Sequence, residues 1–197
     1  MGLRVPRDEY LTPRPVVEAA VKKLRDKYPR FHPVNCLEPG CAWGAHLDYA
    51  LDHFPSIVHS VGVDIEEHPV DSDHEFVCAD FLCWETHEKF DLIISNPPFG
   101  IAEQCFLKSK SLLSSQGLGL LFERIGFLAS IRRRVGYMKH GSWNPGLWTQ
   151  INLREVWICS TRPAMLGQVS TDACEYAYYL FDSSFVGGQV VLDWLDW

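Results

Sequence analysis

The sequence predicts a doubly wound α/β fold with a mostly parallel sheet. Short apolar runs rich in β-forming residues alternate with longer amphipathic runs, and polar or glycine-rich turns follow several of the apolar runs. No internal repeat or low-complexity tract interrupts the 197 residues. A chain of this length can bury one substantial core but is too short for two full domains, so we expect a single domain over residues 1–197.

Seven strands are predicted, one of them antiparallel to the rest, and they cover residues 34–38, 60–64, 75–78, 90–95, 118–122, 155–160 and 175–181. Helices are expected over residues 15–28, up to about residue 53 after the first strand, over 102–115, and over 123–139, where the helix is basic. Residues 140–150 are predicted to form a loop. The C-terminal tail, VVLDWLDW, is expected either to add an edge strand or to pack on the surface.

Composition excludes several classes of protein. Hydrophobic residues make up 47% and charged residues 22%, which is typical of a globular protein and not of a disordered one. No apolar run approaches the roughly 20 residues that cross a bilayer, and the first residues do not resemble a signal peptide. The seven cysteines contain no C-x-x-C pair and the histidines no metal-site spacing, so we expect reduced core cysteines, no metal and a cytoplasmic location.

The charges are unevenly distributed along the chain. The net charge is −7, yet residues 31–95 hold thirteen acidic and one basic residue, whereas residues 123–154 hold six basic and one acidic residue. Such a division suits a protein that holds a cationic cofactor on one side and a polyanion on the other.

Carboxylates are predicted at the ends of three successive strands. Glu38 ends the first strand before Gly40 and Gly44, Asp64 ends the second, and Asp80 follows the third. Ligands of open α/β sheets bind at these carboxyl ends, and the two glycines let the first turn approach a ligand closely. The spacing is not that of a dinucleotide fingerprint, and three carboxylates repel a pyrophosphate. They favour a sulfonium and ammonium ligand such as S-adenosyl-L-methionine, with Asp64 on the ribose diol and Asp80 on the adenine amino group.

The segment Asn96-Pro97-Pro98-Phe99 follows the fourth strand and is the sharpest chemical signal. An exocyclic aromatic amine is a poor nucleophile because its lone pair is delocalised into the ring. The side-chain oxygen of Asn96 and the carbonyl of Pro97 could accept its two hydrogens and free that lone pair. The prolines hold this backbone stiffly, and Phe99 offers a face for a flipped base. No Pro-Cys nucleophile follows the fourth strand, which disfavours cytosine C5 chemistry.

These motifs resemble those of the class I methyltransferases. Tyr10-Leu11-Thr12-Pro13, the LEPGCAWG run (37–44), Asp64, Asp80-Phe81 and NPPF (96–99) follow the order of the γ-class adenine-N6 DNA methyltransferases. Residues 127–179 are more loosely similar to small phage- or prophage-encoded adenine methyltransferases. The resemblance implies a Rossmann-like class I methyltransferase fold, transfer of a methyl group to adenine N6 in DNA, and a location in a bacterium or phage-infected host.

The resemblance also implies roles for individual residues. The Y-x-T-P segment and the first turn would contact the methionine part of the cofactor, Asp64 its ribose, and Asp80 with Phe81 its adenine. The predicted cofactor-binding set is Tyr10, Thr12, Pro13, Glu38, Gly40, Ala42, Gly44, Asp64, Ile65, Asp80, Phe81 and Asn96. The predicted catalytic set is Asn96, Pro97, Pro98 and Phe99.

A basic segment is predicted to border the opening for the target base. Its candidate nucleic-acid-binding residues combine cationic groups with an aromatic ring and are Arg124, Arg132, Arg133, Arg134, Lys139 and Trp143. Large DNA methyltransferases of this group carry a separate target-recognition domain, which has no counterpart here. Target recognition is therefore expected from a short insert or from a protein partner.

The motifs leave other acceptors open. NPPF-type motifs also occur in enzymes that methylate RNA amines or protein glutamine amides, because an amide nitrogen needs the same two acceptors. A second alternative is a non-catalytic methyltransferase-like module, such as an assembly subunit or a decoy for a host methyltransferase or restriction system. The absent recognition domain and the acidic net charge motivate that alternative.

Overall fold

The computed structural model describes residues 11–67, 74–165 and 174–197. Within these ranges the helices are Arg14–Lys27 (α1), Ala45–His53 (α2), Ala102–Leu112 (α3), Gly126–Ala129 (α4), Ile131–Arg134 (α5) and Leu147–Ile151 (α6), with a 3₁₀ turn at Phe99–Ile101. The strands are Asn35–Pro39 (β1), His59–Asp64 (β2), Glu75–Cys78 (β3), Phe90–Ser95 (β4), Leu113–Arg124 (β5), Gly136–Lys139 (β6), Ser142–Pro145 (β7), Leu153–Cys159 (β8), Tyr176–Asp182 (β9) and Val191–Leu195 (β10).

The described strands other than β6 and β7 form one sheet in the order β10-β8-β9-β5-β4-β1-β2-β3. β9 runs antiparallel to β5 and β8, whereas the other neighbouring strands are parallel. The predicted mostly parallel sheet with an antiparallel strand is therefore present. The predicted count of seven strands is wrong, because the tail pairs with β8 as an eighth, edge strand.

Helices cover both faces of the sheet. The apolar face of α1 is fully buried and packs with α2 against one face, as its helical spacing of apolar residues predicts. The aromatic side chains of Phe106 in α3, Phe127 in α4 and Trp148 in α6 pack with the residues of the opposite face. Alternate residues along β4 enter the two cores, with Leu92 and Ile94 in one and Ile93 in the other.

The predicted basic helix over 123–139 is wrong. β5 continues through Glu123 and Arg124, which pair with Ala177 and Tyr176 of β9. Two short helices follow, separated by the extended backbone of Ser130, and then a β-hairpin begins at Gly136. Gly136 has a φ of +106°, which a right-handed helix does not contain. The predicted loop over 140–150 is also wrong, because it contains β7 and most of α6.

The cysteine prediction holds only in part. Cys36, Cys41, Cys105 and Cys159 are buried thiols and Cys174 is half-buried, whereas Cys78 and Cys83 are exposed. Burial raises the pKa of the Cys159 thiol to about 12. Among the described residues, no helix combines the length and the apolar character that a membrane-spanning segment requires.

Candidate functional site

A cavity of about 330 Å³ lies at the carboxyl ends of β1, β2 and β4. After β1 the chain adds β2 and β3 on one side of it, and then returns to add β4 on the other side. The order of strand addition therefore reverses at β1. The lining residues are Leu11, Thr12, Arg14, Glu38, Pro39, Gly40, Cys41, Ala42, Trp43, Ala45, His46, Val63, Asp64, Ile65, Glu66, Ala79, Asp80, Phe81, Asn96, Pro97, Pro98, Ile101 and Cys105. The volume lies at the lower end of the range typical of small-molecule sites.

The turn after β1 forms one wall of the cavity. Gly40, Ala42 and Gly44 have positive φ angles of 63°, 43° and 72°, so the backbone coils tightly from β1 into α2. The amide of Gly40 donates to the carbonyl of Val63 at 2.7 Å, which fixes the turn against β2. Of the predicted glycines, Gly40 lines the cavity, whereas Gly44 is the N-cap of α2 and lies outside the lining.

Asp64 connects the first turn to the end of β2. Its Oδ2 accepts the backbone N–H of Ala42 at 2.9 Å, and its Oδ1 accepts that of Glu66 at 3.1 Å. The carboxylate is half-buried and lines the cavity next to Ile65, whose side chain is exposed. Because each carboxylate oxygen has more than one lone-pair site, Asp64 can hold the turn and still accept hydrogen bonds from a ligand.

Glu38 lies at the bottom of the cavity in a buried polar chain that the sequence did not reveal. Its Oε1 lies 2.6 Å from Nδ1 of His46, and its Oε2 accepts the amide of Leu47 at 3.1 Å. Nε2 of His46 in turn lies 3.2 Å from the hydroxyl of Tyr178. Burial raises the pKa of Glu38, and the nearby His46 opposes that shift. The predicted cation-binding carboxylate is therefore already paired within the protein.

Asp80 and Phe81 line the side of the cavity that follows β3. Oδ1 of Asp80 accepts the backbone amide of Leu82 at 2.9 Å, which fixes a turn and leaves the carboxylate exposed. The ring of Phe81 is buried, with the ammonium group of Lys108 at 5.3 Å from its centroid. These two residues supply a polar acceptor beside an apolar ring, an arrangement that suits the edge and face of a heterocycle.

The segment after β4 forms the opposite wall. The hydroxyl of Ser95 donates to the carbonyl of Pro39 at 2.5 Å, which ties the ends of β4 and β1 together. A Cβ placed on Gly40 would lie 3.8 Å from Cδ of Pro98, so the two turns lie close to each other. Asn96, Pro97 and Pro98 all line the cavity. Asn96 therefore lines the same cavity as Asp64 and Asp80, and its side-chain oxygen is buried.

Phe99 is placed differently from its three neighbours and does not line the cavity. The guanidinium group of Arg124 lies over its ring at 4.5 Å from the centroid, and Tyr176 lies 5.9 Å away at an angle of 36°. Stacking of a base on the covered face of Phe99 would require Arg124 to move away. Arg124, a predicted nucleic-acid contact, is thus held at the boundary between β5 and the NPPF segment.

The N-terminal part of the predicted site is only partly described. Tyr10 lies outside the described residues. Thr12 is buried and lines the cavity, and its Oγ1 has no hydrogen-bond partner among the described residues. Pro13 lies outside the lining, where its carbonyl accepts the amide of Val16 at 2.9 Å at the start of α1. The buried hydroxyl of Thr12 is thus available to a ligand.

The predicted nucleic-acid contacts follow the carboxyl end of β5. The guanidinium group of Arg132 lies 4.5 Å from the centroid of the Tyr137 ring, and that of Arg133 lies 3.8 Å from the centroid of Phe127. Arg133 also lies 3.4 Å from the carboxylate of Glu103 in α3. Trp143 lies on β7 and is exposed. The side chains of Arg134 and Lys139 lie outside the described part of the structure.

Several cavity residues were missed by the sequence prediction. The exposed apolar side chains of Trp43 and Ile101 line the cavity and were not predicted, whereas the similar side chain of Ile65 was. Cys105 also lines the cavity, and burial raises the pKa of its thiol to about 12, so it stays protonated at neutral pH. Trp43 stands within the motif after β1, which could have identified it. His46 and Cys105 lie on helices and carry no comparable sequence signal.

Comparisons with solved structures identify the fold. A structure described as a class I S-adenosylmethionine-dependent methyltransferase from Listeria monocytogenes superposes with a TM-score of 0.75 at 12% identity, covering 97% of this chain and 67% of that one. A Pyrococcus horikoshii structure described as an RNA methyltransferase gives 0.65 at 14% identity, covering 92% and 91%. The fold is therefore that of the class I S-adenosylmethionine-dependent methyltransferases, as predicted.

Sequence comparisons find two partial matches that are both described as type II methyltransferases. The chain is 46% identical over 67 residues to the type II methyltransferase M.TthHB8I of Thermus thermophilus, which is 33% of this chain and 16% of that protein. It is 33% identical over 95 residues to the type II methyltransferase M.CvrRI of Paramecium bursaria Chlorella virus XZ-6E, which is 46% of this chain and 24% of that one. The matches thus span less than a quarter of these relatives. No family model matches the chain.

Proposed function

We propose that the protein transfers a methyl group from S-adenosyl-L-methionine to an exocyclic amino nitrogen, N6 of adenine in DNA. The observation that carries this proposal is the placement of Asn96 and Pro97 in the same cavity as Asp64 and Asp80. One wall offers acceptors for a nucleoside, and the opposite wall offers two rigid acceptors for an amine. A cavity of this kind brings a bound methyl donor and an amine together.

The lining fits the proposed cofactor. The carboxylate of Asp64 lines the cavity where a ribose diol could donate to it, Asp80 can accept from an adenine amino group, and the buried Thr12 hydroxyl can bind a polar group of the ligand. The acidic residues around the cavity favour a cation over an anion. Use of S-adenosylmethionine is further supported by the fold, since its class is defined by that cofactor. When bound, this cofactor supplies an electrophilic methyl group.

Asn96 and Pro97 are proposed to activate the target amine. The side-chain oxygen of Asn96 and the carbonyl of Pro97 accept its two N–H groups, so the nitrogen becomes more pyramidal and its lone pair is available for attack. With the methyl donor bound, this lone pair would attack the methyl carbon, and the electron pair of the carbon–sulfur bond would leave with sulfur as a thioether. The amine then loses one proton to solvent, and no covalent bond to the protein is needed. Pro98 keeps the two acceptors in position because its φ is restricted.

DNA is the acceptor that the relatives and the charge pattern support best. Both curated relatives are type II methyltransferases. The segment from Arg124 to Arg154 contains no Asp or Glu, although the whole chain has 25 such residues, and it follows the strand that ends beside Phe99. A carboxylate-free basic segment next to the amine site suits a phosphate backbone. Recognition of a particular DNA sequence would come from this segment or from a protein partner.

The proposal is tested with the purified chain, methyl-labelled S-adenosylmethionine and three acceptors in parallel: DNA lacking adenine methylation, total RNA and a protein lysate. We expect label in DNA, and nucleoside digestion with mass detection should yield N6-methyladenine. Label confined to RNA or to glutamine amides would overturn the DNA assignment and retain the amine chemistry. Calorimetry that detects no S-adenosylmethionine binding would favour a non-catalytic module instead.

A further inference from the structure

The strands β6 and β7 form a two-stranded hairpin, residues 136–145, that is separate from the main sheet. Lys139 pairs with Ser142, so the loop between the strands has two residues, His140 and Gly141, whose φ angles are 50° and 78°. Two successive positive φ angles are what a type I′ hairpin loop requires. The hairpin is therefore a tight ribbon and not a flexible loop.

One face of the hairpin is apolar and exposed. Met138 and Trp143 are directly opposed across the two strands and are 62% and 54% exposed. A Cβ on Gly136 would lie 2.9 Å from Cζ2 of Trp143 and 2.2 Å from the carbonyl oxygen of Asn144. The indole thus lies across a position where only glycine fits. Direct pairing places Met138 and Trp143 side by side on one face of the hairpin, which we call the apolar ridge.

The hairpin is anchored next to the amine site and carries positive charge. Arg132 of α5 lies over the ring of Tyr137 on β6, and Arg133 of α5 lies 3.4 Å from Glu103 in the first turn of α3. The residue before α3, Ile101, lines the cavity. The hairpin and its anchor lie within the segment from Arg124 to Arg154, which has no carboxylate. The surroundings of the ridge therefore match a polyanion.

We propose that the Met138–Trp143 pair acts as a wedge that enters the base stack of duplex DNA beside the target base; this rests on the proposed function. An amine buried in a duplex reaches the cavity only if its base leaves the stack, which costs unstacking and unpairing energy that an inserted side chain can partly offset. Apolar side chains that insert between base steps do this in other DNA-binding proteins, and a two-stranded ribbon fits the major groove. The flanking arginines would hold the backbone while the ridge replaces the lost stacking.

The test compares native and heat-denatured samples of the same genomic DNA, prepared from cells without adenine methylation. Denatured DNA presents bases that are already unstacked, so a wedge is not needed for methylation of that form. With Met138→Ala and Trp143→Ala combined, we expect the initial rate of N6-methyladenine formation on native DNA to fall about tenfold, and that on denatured DNA to stay within about twofold. Trp143→Phe keeps an aromatic ring and should recover most of the rate on native DNA.

Trp194→Ala is the matched control, because it removes a different exposed tryptophan. Trp194 lies on the edge strand β10 and is 62% exposed. This variant should leave both rates unchanged, and S-adenosylmethionine affinity should be the same in all variants. An unchanged rate on native DNA in the double variant would overturn the wedge. An equal loss on both forms of DNA would also overturn it. If the unmodified protein methylates neither form, the proposed function is overturned and the wedge with it.

Discussion

The cavity and the hairpin segment, residues 125–151, differ in how their functional groups are held. Around the cavity, the positions of Gly40, Asp64 and Asn96 are set by backbone turns at the ends of three neighbouring strands, and hydrogen bonds join these turns. In the hairpin segment, Arg132 and Arg133 are held by ring contacts on short helices outside the sheet. The candidate amine site is thus built on the sheet, whereas the proposed contacts to the acceptor lie on an appended segment. Substitutions in the two regions should have different consequences.

The largest effect is expected from Asn96→Ala, which removes one of the two acceptors for the amine. The rate of N6-methyladenine formation on denatured DNA should fall about a hundredfold to a thousandfold, as on loss of a preorganised hydrogen-bonding group elsewhere. S-adenosylmethionine affinity, measured by calorimetry, should change less than about threefold. Asn144→Ala is the control in the hairpin and should leave this rate unchanged. An Asn96→Ala variant that keeps half of its activity would contradict the assignment.

A smaller effect, on affinity instead of turnover, is expected from Asp64→Asn. The substitution replaces a charged carboxylate with a neutral carboxamide and removes one acceptor on which a ribose diol would depend. A hydrogen bond to a charged group contributes about 1.5–3 kcal/mol. The dissociation constant for S-adenosylmethionine should rise about tenfold or more, with turnover at saturating cofactor within about threefold of the unmodified protein. Glu67→Gln removes a neighbouring exposed charge outside the lining and should leave the affinity unchanged. Equal affinities for both variants would exclude Asp64 from the cofactor site.

The smallest effect is expected in the hairpin segment, where Arg132 and Arg133 form an adjacent pair with different surroundings. Arg132→Ala should lower the slope of log affinity for duplex DNA against log salt by about 0.9, the value for one phosphate contact. Arg133→Ala should lower it less, because Arg133 is already close to Glu103. Fluorescence anisotropy with a labelled duplex at several salt concentrations measures both slopes. Identical slopes for Arg132→Ala and the unmodified protein would exclude Arg132 as a phosphate contact.

The cavity was predictable because its key positions are encoded by residues with strong backbone preferences. Gly40 occupies a left-handed turn, and Pro97 ends a buried strand, so both signals are local. The link from Glu38 through His46 to Tyr178 was not predictable, because Tyr178 lies 132 residues beyond His46 in the sequence. Such contacts depend on sheet order, which the local residue patterns of a sequence do not reveal.

The hairpin was missed for a different reason. Arg132, Arg133 and Arg134 belong to a residue type with high helix propensity, and they do form a turn of helix, but the helix ends there. Gly136 and the pair His140-Gly141 are the local signals of the hairpin, and their positive φ angles outweigh the propensity of the arginines. A two-residue turn signal such as His140-Gly141 is thus better evidence for a hairpin than a run of arginines is for a helix.

The bond from Ser95 to the carbonyl of Pro39 has a consequence for how such proteins diversify. This hydrogen bond joins the turn after β1, on the proposed cofactor side of the cavity, to the end of β4, on the proposed amine side. The residues that follow β5 take no part in it. Under the proposed function, insertions or exchanges after β5 would alter which macromolecule is presented, while the spacing between Asp64 and Asn96 would be preserved. Under the proposed function, related proteins could therefore acquire a different acceptor through changes in the segment after β5 alone.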